Sequence, residues 1–260
     1  MNFRKLIEGK TVAIVGPAEY LMGSGYGNKI DEHDIVVRVN RGIELIDTYD
    51  SDIGRKCDIL YSCLIEKSAN AGKIDASLLK NKYGITMVCT PPESTYDGIS
   101  LKTKFHNLVR PETVSNISKL MPVRIVEHDF HTILAKKINC RPNTGFLAIY
   151  DLLRHKPKKL SIYGFSFYLD GFMKGCKNGI VSEQNKDENQ FAEQCFKSKR
   201  HVQENMFLVA KQTLLNNERA KPDPVLNKIL NMNKLDKGLF AEIRNKEDFY
   251  SDKKQISKEV

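Results

Sequence analysis

The chain has 260 residues, 41% of them hydrophobic, and a net charge of +9. That length supports one sizeable core, so a single large domain is expected. No apolar run approaches the ~20 residues of a membrane-spanning helix, and the opening MNFRKLIEGK lacks the long apolar core of a secretory signal.

A cytoplasmic protein is therefore expected, in solution or peripheral to a membrane. The positive charge favours anionic partners. The lysines are spread along the chain, however, and there is no zinc-finger or RNA-binding signature. Nucleic acid is not an expected partner. Cys57, Cys63, Cys89, Cys140, Cys176 and Cys195 form no CxxC pair and no zinc-spaced cluster with histidine. They read as reduced and mostly structural.

In chain order, strands are predicted at 11–16, 34–39, 57–62, 85–90, 123–127 and 159–164. Most are apolar at consecutive positions rather than alternating ones, which suits a parallel sheet covered on both faces. Helical stretches are predicted between them, at 73–82, 100–108, 112–120, 129–138 and 144–155. Two later helices follow. RHVQENMFLVAKQTLLNN carries an apolar stripe of Val202, Met206, Val209, Leu214 and Leu215. DPVLNKILNM places Asp223 at a cap and Pro224 in the first turn. The stretch 166–200 reads as a long polar loop of the kind that usually serves function.

Alternating strands and helices predict an α/β fold. We expect a single Rossmann-like domain over 1–220, a mostly parallel sheet with helices on both faces. Residues 221–260 are expected to add a C-terminal helix packed on the same domain and a charged tail. Such sheets bind ligands at the carboxyl ends of their strands. Gly16, Asn40, Tyr61, Thr90 and Gly164 occupy those ends and should converge on one cleft.

The glycines of IVGPAEYLMGSGYGNKID do not match GxGxxG, and no Gly-Lys-Ser/Thr follows them. The second strand ends in Arg38-Val39-Asn40, without the acidic residue that would hold an NAD ribose. These glycines serve either a flexible turn or a close approach to a nucleotide. Asp50-Ser51-Asp52 has the spacing of a metal-binding Asp-x-Asp, but it reads as a polar turn or cap, and no metal is expected. Asn143-Thr144-Gly145 places small groups where an apolar helix begins, which suits a bound anion or nucleotide. His201 opens the late amphipathic helix. From chemistry alone it is either an ordinary surface residue or a proton acceptor.

Two blocks together resemble a known family. VAIVGPAEYLMGSGYGNKIDEHDIVVRVNRG with DIGRKCDILY resembles the large motif of the eukaryotic-type sialyltransferases, glycosyltransferase family 29. RPNTGFLAIYDLL with KKLSIYGFSF resembles their small motif. The chain is expected to be without the linking cysteines, anchor and stem of the animal members, which likens it to a compact soluble bacterial or viral member.

The resemblance implies a variant GT-A-like fold. It implies transfer of sialic acid from CMP-sialic acid to a glycan hydroxyl, with inversion, no cofactor and no metal. It further implies that Asn143, Thr144, Gly145, Gly164, Phe165 and Asn40 line the nucleotide site, and that Tyr61 reaches the phosphate. His201 becomes the general base. Gly16-Pro17-Ala18 stands where the family has Gly-Asn-Ser, so only backbone contacts to nucleotide are expected there. Glu204 falls three residues after His201, not at the family's His-x4-Glu spacing. Tyr168 and DGFMKG are candidates for the family's short aromatic motif. Two other readings remain: another CMP-linked acid sugar such as Kdo as donor, or a nucleotide- or glycan-binding protein of the same fold.

Overall fold

In the computed structural model, residues 2–65, 74–92, 110–176, 193–245 and 249–250 are described. They form a seven-stranded sheet in the order β5-β4-β3-β2-β1-β6-β7, and every neighbouring pair is parallel. The strands are β1 Thr11–Val15, β2 Ile35–Val39, β3 Ile59–Tyr61, β4 Met87–Thr90, β5 Val123–Ile125, β6 Lys159–Tyr163 and β7 Ala220–Pro222. The central strands β1, β2 and β6 are buried almost throughout, as their mostly apolar sequences require. The α/β class and the parallel sheet match expectation.

The helices are α1 Phe3–Ile7, α2 Gly27–Asp31, α3 Ile46–Ile53, α4 Ala76–Asn81, α5 Arg110–Ser118, α6 His128–Lys137, α7 Thr144–Arg154, α8 Gln203–Leu214, α9 Pro224–Leu230 and α10 Lys237–Arg244. Side chains cap several of them. Asn143 accepts from Phe146 N–H at the start of α7, and Asp223 accepts from Leu226 N–H at the start of α9. The helix predicted at 100–108 lies outside the described residues.

Several elements were not anticipated. α1 and α2 are five residues each, too short to show a period. α3 takes in Asp50-Ser51-Asp52, which the sequence suggests as a polar turn or cap. β7 is a three-residue strand ending in proline at a sheet edge, where no further ladder bond is needed. β7 places position 220/221 inside the sheet rather than at a boundary. α9 buries Val225, Leu226, Ile229 and Leu230.

Much of the first motif block serves packing. Arg38 is fully buried in β2, and its guanidinium donates to the carbonyls of Ile53, Gly54 and Lys56 at and just beyond the end of α3. Asp52 accepts from the N–H groups of Gly23 and Gly25, at 2.9 Å each. A side chain on Gly27 would strike the carbonyls of Asp50 and Ser51, so this glycine lets α2 sit against α3. Asp50 pairs with Arg55 at 2.5 Å. The glycine run thus fastens two helices together and lines neither of the cavities described below. The two aspartates of Asp-x-Asp are engaged by the backbone and by an arginine.

Candidate active site

Chain order reverses between β1 and β6, which are adjacent in space. A sheet with such a switch point opens a crevice at the carboxyl ends of the two strands. Here the crevice is built from the turns that follow β1 and β6. Gly16 and Gly164 face each other across it, and a side chain on either would strike the other's carbonyl. Gly164 also has a φ of +73°, which glycine adopts without strain. The loop after β6 is laced to the loop after β1. Ala18 N–H donates to Gly164 O at 3.2 Å, Met173 N–H to Pro17 O at 2.9 Å and Glu19 N–H to Gly171 O at 3.0 Å.

A small apolar cavity of about 100 Å³ fills this crevice. The Phe165 ring forms part of its wall, with Phe146, Tyr150, Phe167 and Phe172 among the other aromatic groups. Beside it lies a polar cavity of about 360 Å³, lined in part by Arg141, Ser198, Arg200 and His201. Asn143, Thr144, Tyr168 and Gln203 line both, so they form the waist between the two.

The start of α7 stands at this waist. With Asn143 capping Phe146 N–H, the N–H groups of Thr144 and Gly145 at the first two helical positions have no partner among the described residues. Such a helix start attracts negative charge.

The His201 ring is held by the same segment. Its Nδ1 lies 2.8 Å from the carbonyl oxygen of Arg141, and Arg141 N–H donates to Arg200 O at 3.2 Å. A carbonyl can only accept, so Nδ1 carries the proton and Nε2 presents a lone pair. Burial, with the Arg200 charge adding to it, pushes the imidazole down to about 4. At neutral pH His201 is an uncharged proton acceptor.

The family model for glycosyltransferase family 29 (sialyltransferase) matches residues 7–172. The chain belongs to this family. Among curated protein sequences no relative matches it. Solved structures similar to it include a mammalian sialyltransferase in complex with Gal-beta-1-3GalNAc-ortho-nitrophenol, at 16% identity and a TM-score of 0.43. That match covers 74% of this chain and 66% of the other, so the chain spans just under two thirds of the mammalian protein. Another is the sialyltransferase CstII from Campylobacter jejuni in complex with CMP-3FNeuAc, at 14% identity and a TM-score of 0.42, covering 74% and 78%.

For a family 29 chain, most of the expected nucleotide residues come together. Pro17, Ala18, Asn143, Thr144, Gly145, Gly164 and Phe165 all border the apolar cavity. Their chemistry differs in part from expectation. The N–H of Gly16 is taken by Tyr163 O and that of Ala18 by Gly164 O, while Pro17 has none. The first loop therefore supplies a wall and not backbone donors. Asn40 sits at a φ of +48°, and its Oδ1 accepts from Cys63 N–H at 3.0 Å. It ties the end of β2 to the segment after β3, between Val39 of the apolar cavity and Cys63 of the polar one.

Tyr61 is the clear correction. It is fully buried, borders neither cavity, and its hydroxyl donates to Asp151 at 2.6 Å. Alternation along β3 turns its side chain toward the middle of α7 and away from the strand's mouth. Burial pushes the Asp151 carboxyl up, but the His155 ring 3.6 Å away and hydrogen bonds from Arg124 and Tyr61 outweigh it and hold the group well below the usual carboxylate range. Tyr61 belongs to this buried ion network.

Arg141, Arg200, Tyr150 and Gln203 were not anticipated. Arg141 begins the quoted RPNTG block and Arg200 precedes His201, so adjacency was their only signal. Tyr168, a sequence candidate, reaches the waist in a left-handed conformation, as does Phe167, with φ of +59° and +52°. Non-glycine residues hold this strained geometry where surrounding contacts impose it, and such positions cluster at functional sites. Glu204 accepts weakly from Leu235 N–H at 3.4 Å and borders neither cavity. Cys63 and Cys195, expected to be structural, line the polar cavity and are in no disulfide.

Proposed function

We propose that this chain transfers sialic acid from CMP-sialic acid to a glycan hydroxyl, with inversion and without a metal ion. The cytosine lies in the apolar cavity against Phe165. The phosphate and the acid sugar lie in the polar cavity, near the Thr144 and Gly145 N–H groups and the Arg141 and Arg200 guanidiniums. Family membership supports the reaction class. The observation that carries the residue assignment is His201, which lines a basic cavity that shares its waist with an aromatic one and whose Nδ1 is engaged by Arg141 O, leaving Nε2 as the ring's lone pair.

The acceptor hydroxyl attacks the anomeric carbon while the bond from that carbon to the CMP phosphate oxygen breaks. His201 Nε2 takes the hydroxyl proton as positive charge develops on the ring, in an oxocarbenium-like transition state. The leaving phosphate gains negative charge. Backbone N–H groups already in place at the start of α7 stabilise it without reorganising. Tyr61 has no part in this step.

Calorimetric titration with CMP, UMP, UDP and NAD in EDTA tests the donor site. Selective CMP binding is expected. Binding only of a UDP species that needs metal would overturn the reading. A donor screen for CMP release, including other CMP-linked acid sugars, then identifies the sugar. His201→Ala should abolish transfer and leave CMP affinity within about twofold. A wild type that binds CMP and turns over no donor would make the protein a nucleotide-binding module.

A further inference from the structure

Gln203 is the first residue of α8 and is only 3% exposed, yet it borders both cavities. Its Nε2 donates to His201 O at 2.6 Å and, at 3.4 Å, to Cys195 O. Those two carbonyls settle which end of the amide is nitrogen, because the reversed orientation would set acceptor against acceptor. The other end, Oε1, is buried and has no hydrogen-bond partner among the described residues. A buried acceptor left unmatched is costly, and native structures contain few. A ligand O–H or N–H at the waist would satisfy it.

The order of chemical groups in a nucleotide says which one arrives there. With an aromatic base in the apolar cavity and anionic groups beside Arg141 and Arg200, the ribose must span the waist. Its own hydrogen-bond donors are the 2′- and 3′-hydroxyls. We propose that Gln203 is a specificity-determining residue of the donor site, its Oε1 accepting a hydrogen bond from a ribose hydroxyl of the bound nucleotide. The same amide, through Nε2, supports the backbone of His201, so one side chain would tie ribose recognition to the position of the base. This inference rests on the CMP-sugar reading above.

The test compares CMP, 2′-deoxy-CMP and 3′-deoxy-CMP by calorimetry on the wild type, Gln203→Leu and Gln203→Met, with thermal melting of each protein. The wild type should bind CMP about five- to thirtyfold more tightly than at least one deoxynucleotide, the range set by one lost hydrogen bond and one orphaned acceptor. Both variants should bind the three nucleotides within about twofold of one another. The comparison on the wild type needs no variant to fold. CMP binding with no preference over either deoxynucleotide would overturn the inference and leave the donor assignment standing. Variants that weaken all three nucleotides equally and keep the wild-type preference would show Gln203 to be structural only. Failure of CMP itself to bind the wild type would overturn the donor reading and this inference with it.

Discussion

Phe165 lies against Gly145, so close that a methyl group at position 145 would fall 2.6 Å from its Cε1. On the ring's other edge a side chain at Gly16 would come within 3.2 Å of Cε2. Two glycines from distant parts of the chain thus make the slot that holds one aromatic ring at the cavity wall. Gly145→Ala should displace the ring, cost about 1–3 kcal/mol as overpacking does, and weaken CMP binding at least about tenfold. Urea unfolding and calorimetry measure the two effects. A variant with unchanged CMP affinity would remove Phe165 from the donor site.

Tyr61→Phe separates a buried network residue from a catalytic one. Loss of its hydrogen bond to Asp151 should lower stability by about 1–3 kcal/mol. CMP affinity should stay within about twofold, and kcat should not collapse. A variant that melts like the wild type but has lost most of its kcat would return Tyr61 to the reaction.

The His201 geometry makes a prediction about pH. Its value is depressed to about 4 by burial first and the Arg200 charge second. The acidic limb of kcat/KM should therefore lie well below the 6.5 of an ordinary histidine, nearer 4. Arg200→Gln removes a charge that opposes protonation, so the limb should move to higher pH, whatever the drop in overall rate. A limb that stays in place in this variant would show that Arg200 does not act on the imidazole.

Asp170 predicts a stability profile. Burial pushes its carboxyl up to about 6, while its Oδ2 accepts from Tyr20 N–H at 2.8 Å. The folded value lies above the unfolded one, so the folded chain holds this proton more tightly. Its contribution is most favourable below about pH 4 and is lost as pH rises through about 6. Asp170→Asn keeps an acceptor for Tyr20 N–H and removes the charge. It should gain about 1–3 kcal/mol over the wild type at pH 8, and the gain should vanish near pH 4. Urea unfolding across that range decides it. A difference that does not change with pH would mean the carboxyl titrates normally.

The loop that carries Phe165 has a second anchor from far along the chain. The Tyr20 hydroxyl accepts from Gly164 N–H at 2.9 Å and from Phe165 N–H at 3.1 Å, and donates to Asp223 at 2.6 Å. Asp223 also accepts from Gly164 N–H at 3.0 Å while capping α9. Read as a sequence, Asp223 is a helix cap, which it is. Its second duty needed β7 to carry the chain back alongside β6.

Local patterns determined a good deal by themselves. Mostly consecutive apolar positions marked six strands of a parallel sheet, because a strand covered on both faces leaves no place for alternation. The cap positions of Asn143 and Asp223 followed from short-range backbone chemistry. The two motif blocks carried family membership and brought together most residues around the apolar cavity. Tertiary structure alone decided where side chains point and what they meet. Tyr61 stands near the mouth in sequence but is turned into the sheet's covered face. The motif glycines, which could serve a turn or a nucleotide, and Asp52, which reads as a turn or cap, hold helices together. Gln203, Arg141 and Arg200 gain meaning only where the end of the 193–201 segment folds against the start of α7. These are contacts across large separations in the chain, and no local period or propensity encodes which partner a side chain will find.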